Sequence, residues 1–284
     1  MVTLNDYVLK ETAWCPGCGN FGIRQAVKEA LVEMGLAPHQ VMLVSGVGQA
    51  AKLPIYISGN SFTGLHGRSL PAAQAIKLAN PALKVFVFGG DGDGYAEGGN
   101  HLLHAVRRNV DLTYLVHDNQ VFGLTKGQAS PTSQIGSKGG ITPEGTRMPN
   151  FNPLPFAVSL DIGFVARSFS GDKEHLKTMI KAATNYPGFA LIDVLQPCVT
   201  FNKVNTFQWY KERVYYLPDD YDPTNKTLAF EKANEFGDKI PIGIIYKSNR
   251  PAYQAAIPNP DDDPVVLKPH NPADYAFLNK ENEV

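Results

Sequence analysis

The sequence predicts an α/β fold, a mostly parallel sheet with helices on both faces, ending in an irregular C-terminal arm. Two patterns lead there. Short apolar runs without polar alternation, typical of strands buried on both faces, are separated by segments with helical periodicity. Each run also ends in glycine or polar residues, and the distinctive motifs of the chain fall at those ends. In parallel sheets, ligands gather at the carboxyl ends of the strands.

Residues 21–35 (FGIRQAVKEALVEMG) repeat apolar side chains at helical spacing, and Gly35 supplies a stop. VMLVSGVG (41–48) is an apolar run closing in glycines, read as a buried strand. A helix is expected over 71–79 (PAAQAIKLA), with Pro71 in its first turn. KVFVFGGDGDG (84–94) repeats the strand-then-glycine pattern, 96–108 (AEGGNHLLHAVRR) reads as a helix, and DLTYLVHDN (111–119) as a third strand. His101 and His104 on that helix read as packing or surface residues. A further unit follows: strand 164–170, helix 172–184 capped by Asp172, and strand 189–198. Residues 125–156 contain no periodic segment, and a loop of that length inside a domain is usually functional or disordered. IPIGIIYK (240–247) has the look of an edge strand, and the proline- and acid-rich residues 250–284 of an extended arm gripping a partner.

The 26 basic and 27 acidic residues nearly cancel, which gives no pull toward nucleic acid or an anionic membrane. The N-terminal stretch MVTLNDYVLKETAW has neither a basic start nor an apolar run, and no segment reaches spanning length. A cytoplasmic protein with no membrane or nucleic-acid partner is the expectation. Three cysteines, Cys15, Cys18 and Cys198, are too few for a disulfide scaffold; the C-x-x-C pair suggests metal or redox chemistry. A thioredoxin-like pair would need a strand just before Trp14, and a zinc site would need a fourth ligand, for which His39 has no supporting spacing.

Gly90-Asp91-Gly92-Asp93 and Asp118-Asn119 follow two apolar strands. A magnesium ion takes near-octahedral oxygen ligands and shares them with phosphate, so a carboxylate and an amide oxygen at adjacent strand ends suit it. Glycines let the backbone approach a diphosphate, and the helix opening near Tyr95 directs its amino end at the anion. An EF-hand would need its ligands within a dozen residues and a closing Glu, which is missing.

This spacing is similar to the thiamine-diphosphate motif, and the likeness extends along the chain. Trp14-Cys15-Pro16-Gly17-Cys18-Gly19, Ser45-Gly46-Val47-Gly48, Leu65-His66-Gly67-Arg68, the Gly90–Asp93 motif, Gly123-Leu124-Thr125-Lys126-Gly127-Gln128 and Gln196-Pro197-Cys198 occur in an order that resembles the β subunit of the 2-oxoacid:ferredoxin oxidoreductases. The resemblance covers about residues 10–245. It implies a thiamine-diphosphate-binding fold over 1–200 with an N-terminal iron–sulfur motif, and a C-terminal extension over 201–284 that continues the domain and ends in a partner-binding arm.

The resemblance also implies site residues. Asp91, Asn119 and the Val121 carbonyl bind Mg²⁺. Val47, Gly48, Gln49, Ala50, His66, Gly67, Arg68, Ser69, Gly92, Asp93, Gly123 and Leu124 line the cofactor. Lys52 and Lys126 face the substrate side, where a cation would orient a 2-oxoacid carboxylate. Asp118 stands where the family has Asn, a change expected to matter little if Asn119 is the ligand. The implied activity is oxidative decarboxylation of a 2-oxoacid to an acyl-CoA, with electrons leaving through a 4Fe-4S cluster to ferredoxin. The active site is completed by an alpha (or fused gamma-alpha) subunit, which supplies the glutamate that activates the cofactor. Cys15, Cys18 and Cys198 match three of the family's four cluster ligands, and Gln49 stands at the fourth. Three outcomes stay open: a cubane on three thiolates with a solvent, side-chain or partner ligand, a three-iron cluster, or no cluster. Without a cluster the chain would suit a non-oxidative thiamine-dependent decarboxylase or carboligase, and a third class is a binding or electron-transfer module without thiamine.

Overall fold

The computed structural model describes residues 1–256 together with 264, 267, 271 and 273. In chain order its main elements are α1 (Asn20–Glu33), β1 (Val41–Ser45), β2 (Asn60–Thr63), α2 (Ser69–Ala79), β3 (Lys84–Gly90), α3 (Gly99–Arg108), β4 (Leu112–Asp118), β5 (Val121–Phe122), β6 (Gln128–Ala129), α4 (Pro153–Ser159), β7 (Phe164–Phe169), α5 (Lys173–Asn185), β8 (Phe189–Leu195), α6 (Phe207–Lys211), β9 (Val214–Tyr216), α7 (Lys226–Asn234) and β10 (Ile240–Lys247). Among the described residues eight strands form one sheet in the order β2-β1-β3-β4-β8-β7-β10-β9. Every pairing in it is parallel except β10 against β7.

The non-alternating runs are explained by burial on both faces. Phe86 and Phe88 of β3 join a core with Ile23 and Leu31 of α1 and Leu176 and Ile180 of α5. Val85 and Val87, one residue out of phase, join a second core with Leu70 of α2, Leu102 of α3, Leu154 of α4 and Ala229 of α7. Each side chain of this size taken out of water contributes about 1.5–3 kcal/mol. All seven residues of β4 are buried, as a central strand requires. The Asp172 side chain accepts a hydrogen bond from the His175 amide at 3.1 Å and caps α5 as its sequence suggests.

Several elements differ from the sequence reading. The helix expected over 96–108 is two pieces: a π-helical stretch Gly92–Glu97, then α3, parted at Gly98. The segment 240–247 is not a simple edge strand. Its first half, Ile240–Ile242, pairs with β9, and its second half, from Gly243, pairs with β7, the partner changing beside Pro241, which has no amide to give. β2, β9 and α4 are too short to show a period; α4 starts inside the supposed structureless loop, on Pro153. The arm proposed for 250–284 lies mostly outside the described residues. Its start is held down: the Arg250 guanidinium donates to the carbonyls of Val106, Asp161 and Arg107 at 3.2, 2.8 and 2.7 Å. Among the described residues no helix is long and apolar enough to cross a membrane.

Candidate active site

β1, β3, β4 and β8 are neighbours in the sheet and point the same way, so their carboxyl ends bring together four of the motifs. The registers set the spacing. Gly90 of β3 pairs with His117 of β4, and Asp118 of β4 with Leu195 of β8. Asp91 and Asn119 therefore leave adjacent strands at one level, and Gln196 continues alongside through its amide, which donates to the Asp118 carbonyl at 2.9 Å.

Asp91 is 1% exposed, and one of its carboxylate oxygens accepts hydrogen bonds from the Ser130 and Thr132 hydroxyls, the latter at 2.7 Å. The Thr132 hydroxyl is also 2.7 Å from Asp118 Oδ1. A hydroxyl has one proton to give, so it cannot satisfy both carboxylates. Either an acid proton or a cation must relieve the pair. Burial pushes the Asp91 carboxyl above its usual range. Burial pushes Asp118 well above it, reinforced by Asp193 and Asp91. Asp193, raised to about 6 by burial, is opposed by the Arg167 guanidinium 3.8 Å away and accepts from the Tyr95 hydroxyl at 2.7 Å. Three buried carboxylates with one guanidinium beside them leave an excess of buried negative charge, of which Asp91 alone reaches the cleft wall. Asp118 is thus tied into this cluster, one more buried carboxylate beside Asp91. The Asn119 side chain accepts from the Val121 amide at 3.0 Å, an Asx turn that sets the loop direction.

Ser130, Thr132 and Ser133 were not singled out from sequence. The signal was the polar S-P-T-S run inside the aperiodic loop, which returns through the short β5–β6 hairpin to cover the end of β4; Ser133 donates to the Gln120 carbonyl at 2.6 Å.

Beside the carboxylates is a cleft of about 100 Å³ lined by Val47, Gly48, Gln49, Ala50, His66, Gly90, Asp91, Gly92, Asp93, Asn119, Val121, Phe122, Gly123, Leu124 and Thr125. Asp93 braces it by accepting from the Gly67 and Val47 amides at 2.7 and 3.1 Å. Burial raises its carboxyl, an effect these amides oppose. Two glycines are sterically required. A Cβ on Gly46 would come within 2.2 Å of the Asp93 carboxylate, and one on Gly92 within 2.2 Å of the Phe122 ring. The His66 ring stacks near Phe122 with centroids 6.2 Å apart. Gly67, Arg68 and Ser69 are not on the cleft wall; Gly67 and Arg68 support it from behind, Arg68 donating to the Glu97 carbonyl at 3.1 Å. Lys52 is half-buried on the Ala50–Tyr56 turn and does not line the cleft. Lys126 is exposed in a left-handed conformation at φ 83° and faces the neighbouring cavity instead.

That neighbour, about 220 Å³, is lined by Cys15, Cys18 and Cys198 together with Trp14, Asn20, Gln49, Asn119, Gly123, Lys126, Gln196 and Phe201, among others. The three thiols are free. Among the described residues no group of three or more His, Cys, Asp or Glu side chains converges as ligands of a single ion would. Three thiols around a wider hollow suit a multi-iron cluster better. Nitrogen donors also face the sulfurs: the Phe201 amide lies 3.4 Å from Cys198 Sγ and Gln196 Nε2 3.5 Å from Cys18 Sγ. Such donors stabilise thiolates and tune cluster potentials. Burial pushes the Cys18 thiol up to about 11, a cost that bound iron would remove. Gln49, Asn119 and Gly123 line both chambers.

Comparison with known proteins agrees with this geometry. Residues 39–194 match the thiamine pyrophosphate enzyme C-terminal TPP-binding domain, and residues 198–262 match the family formed by the C-terminal part of the pyruvate ferredoxin oxidoreductase beta subunit. The chain is 48% identical over 248 residues to the 2-oxoacid:ferredoxin oxidoreductase subunit beta of Saccharolobus solfataricus, covering 83% of this chain and 81% of that one. It is 33% identical over 239 residues to the 2-oxoglutarate synthase subunit KorB of Methanothermobacter thermautotrophicus, covering 84% and 82%. A solved structure of 2-oxoglutarate:ferredoxin oxidoreductase from Magnetococcus marinus, with 2-oxoglutarate, coenzyme A and succinyl-CoA bound, superposes with a TM-score of 0.88 at 34% identity, covering 100% of this chain and 97% of that chain. With a thiamine-diphosphate domain, a cleft at its strand ends and relatives this near over most of their length, the chain belongs to the 2-oxoacid:ferredoxin oxidoreductases as a β subunit.

Proposed function

We propose that this chain binds thiamine diphosphate through Mg²⁺ in the cleft at the ends of β1, β3 and β4. Together with its α partner it converts a 2-oxoacid and coenzyme A to an acyl-CoA. Electrons leave through an iron–sulfur cluster on Cys15, Cys18 and Cys198 to ferredoxin. The observation that carries this reading is the shared wall: one chamber rich in carboxylate and backbone groups adjoins one lined by three thiols, with Gln49, Asn119 and Gly123 between them. Thiamine diphosphate supplies, when bound, the electron sink for the carbanion left by decarboxylation.

The protein's share is binding and charge. Asp91, Asn119 and the Val121 carbonyl would hold Mg²⁺. Val47, Gly48, Gln49, Ala50, Gly92, Gly123 and Leu124 would line the cofactor, with Asp93, Gly67, Arg68 and Ser69 bracing the loop behind it and His66 beside the diphosphate. Lys126, exposed on the wall of the cysteine cavity, would meet the substrate carboxylate, and Lys52, off the cleft wall on the turn that follows Gln49, would contribute its charge from there. Calorimetry on the complex with its partner, using thiamine diphosphate and Mg²⁺, tests the assignment. Asp91→Ala is expected to abolish Mg²⁺-dependent binding while circular dichroism stays native; unchanged affinity would refute the metal site. Anaerobically prepared complex should also reduce a low-potential acceptor only when both 2-oxoacid and coenzyme A are present. Release of aldehyde without reduction would favour the non-oxidative reading instead.

A further inference from the structure

Gln49 stands where the two chambers meet, and its side chain is left in an unusual condition. Its backbone carbonyl accepts from the Trp14 indole at 2.8 Å, which ties the turn after β1 to the residue preceding Cys15. Its carboxamide oxygen is buried yet has no hydrogen-bond donor. A buried acceptor in that state is unfavourable unless something else meets its lone pairs. The cavity it borders also holds the three thiols. Gln196 presents a second unpartnered oxygen there, but its amide nitrogen is engaged with Cys18 Sγ and with the Pro197 carbonyl at 2.9 Å, and it does not reach the cofactor cleft.

We propose that the Gln49 carboxamide oxygen is the fourth protein ligand of the iron–sulfur cluster, giving a set of three thiolates and one neutral oxygen. The inference rests on the cluster reading above and deepens it. Oxygen is a harder and weaker ligand than thiolate for cluster iron, so the iron bound to Gln49 is the first to be released. The set also carries one negative charge fewer than four thiolates would, which raises the reduction potential. Gln49 also borders the cofactor cleft, so a substitution there touches the wall that the two chambers share.

The test uses the full-length chain purified anaerobically with its α partner, and it reads iron, sulfide and EPR spectra rather than turnover. Removal of one Fe(II) and one electron, the electron taken by added ferricyanide, converts a four-iron cluster to a three-iron cluster with its own EPR signal. The wild type should lose one iron per cluster on ferricyanide treatment and regain it with Fe(II) and dithionite. Gln49→Cys should keep all its iron under the same treatment. Gln49→Leu should release the iron about tenfold faster or more, as loss of a metal-supporting group predicts, while Gln49→Glu, which keeps an oxygen, should not. Equal release from wild type and Gln49→Leu would overturn the ligand assignment and leave the cluster standing. No iron and sulfide in any of the proteins would overturn the cluster reading, and the ligand with it.

Discussion

His117 shows how much one buried side chain can reveal. It is fully buried in β4; its Nδ1 lies 2.7 Å from the Asn20 side-chain oxygen, so Nδ1 carries the proton and Nε2 is an acceptor without a partner. Burial holds its pKa down at about 3 against an ordinary 6.5. The unfolded chain therefore takes up a proton that the folded chain refuses. As pH falls below about 6.5 stability is lost, and the loss continues until about 3. Asp193 works the other way: with its folded pKa near 6, its protonation favours the folded state on acidification. The clean measurement is a comparison by urea unfolding at two pH values. Between about pH 6.5 and 4.5 the wild type should lose about 2–3 kcal/mol more than a His117→Gln variant; parallel losses would mean that the ring protonates in place. None of this was legible in the sequence, where His117 was only part of a strand end. The placement of Asp91 and Asn119 at neighbouring strand ends was legible, because an apolar run before each, and glycines on both sides of Asp91, are local features. Thr132 was not, since its partners lie 41 and 14 residues away.

At the scale of elements, long segments with strong periods were read nearly to their ends, and short ones were not. α5 announces itself by its spacing and by Asp172, whose side chain both caps the helix and accepts from the Tyr216 hydroxyl on β9. Asp172→Ala should lower stability by about 1 kcal/mol or somewhat more, measured as a lower unfolding midpoint at unchanged activity. A shift no larger than that of a neutral surface substitution would mean that the cap is compensated elsewhere. β2, β9 and α4 owe their form to what they pack against: β2 is four exposed residues recruited by β1, and α4 lies on α7. The split of β10 between two partners also depends on distant strands, although Pro241 hinted that a regular ladder could not run through it.

For the whole molecule, the cleft of about 100 Å³ carries exposed residues, Leu124 and Thr125, on its wall. Apolar side chains stand around it exposed, among them Leu65 at 77% and Leu124 at 39%. Both facts favour the proposal that this chain supplies one wall of a site and its partner another. Cofactor affinity should therefore rise at least tenfold when the partner is present, a gain of about 1.4 kcal/mol; equal affinity for the isolated chain and the complex would argue that this chain alone forms the site. The partition between Gln49, Asn119 and Gly123 has a last implication. With the cofactors placed as proposed, a substitution at any of the three would change the container of the organic cofactor and that of the inorganic one in a single step. Neither half of the chemistry can then be retuned there in isolation, and a designer seeking a new substrate would need to work from the opposite bank.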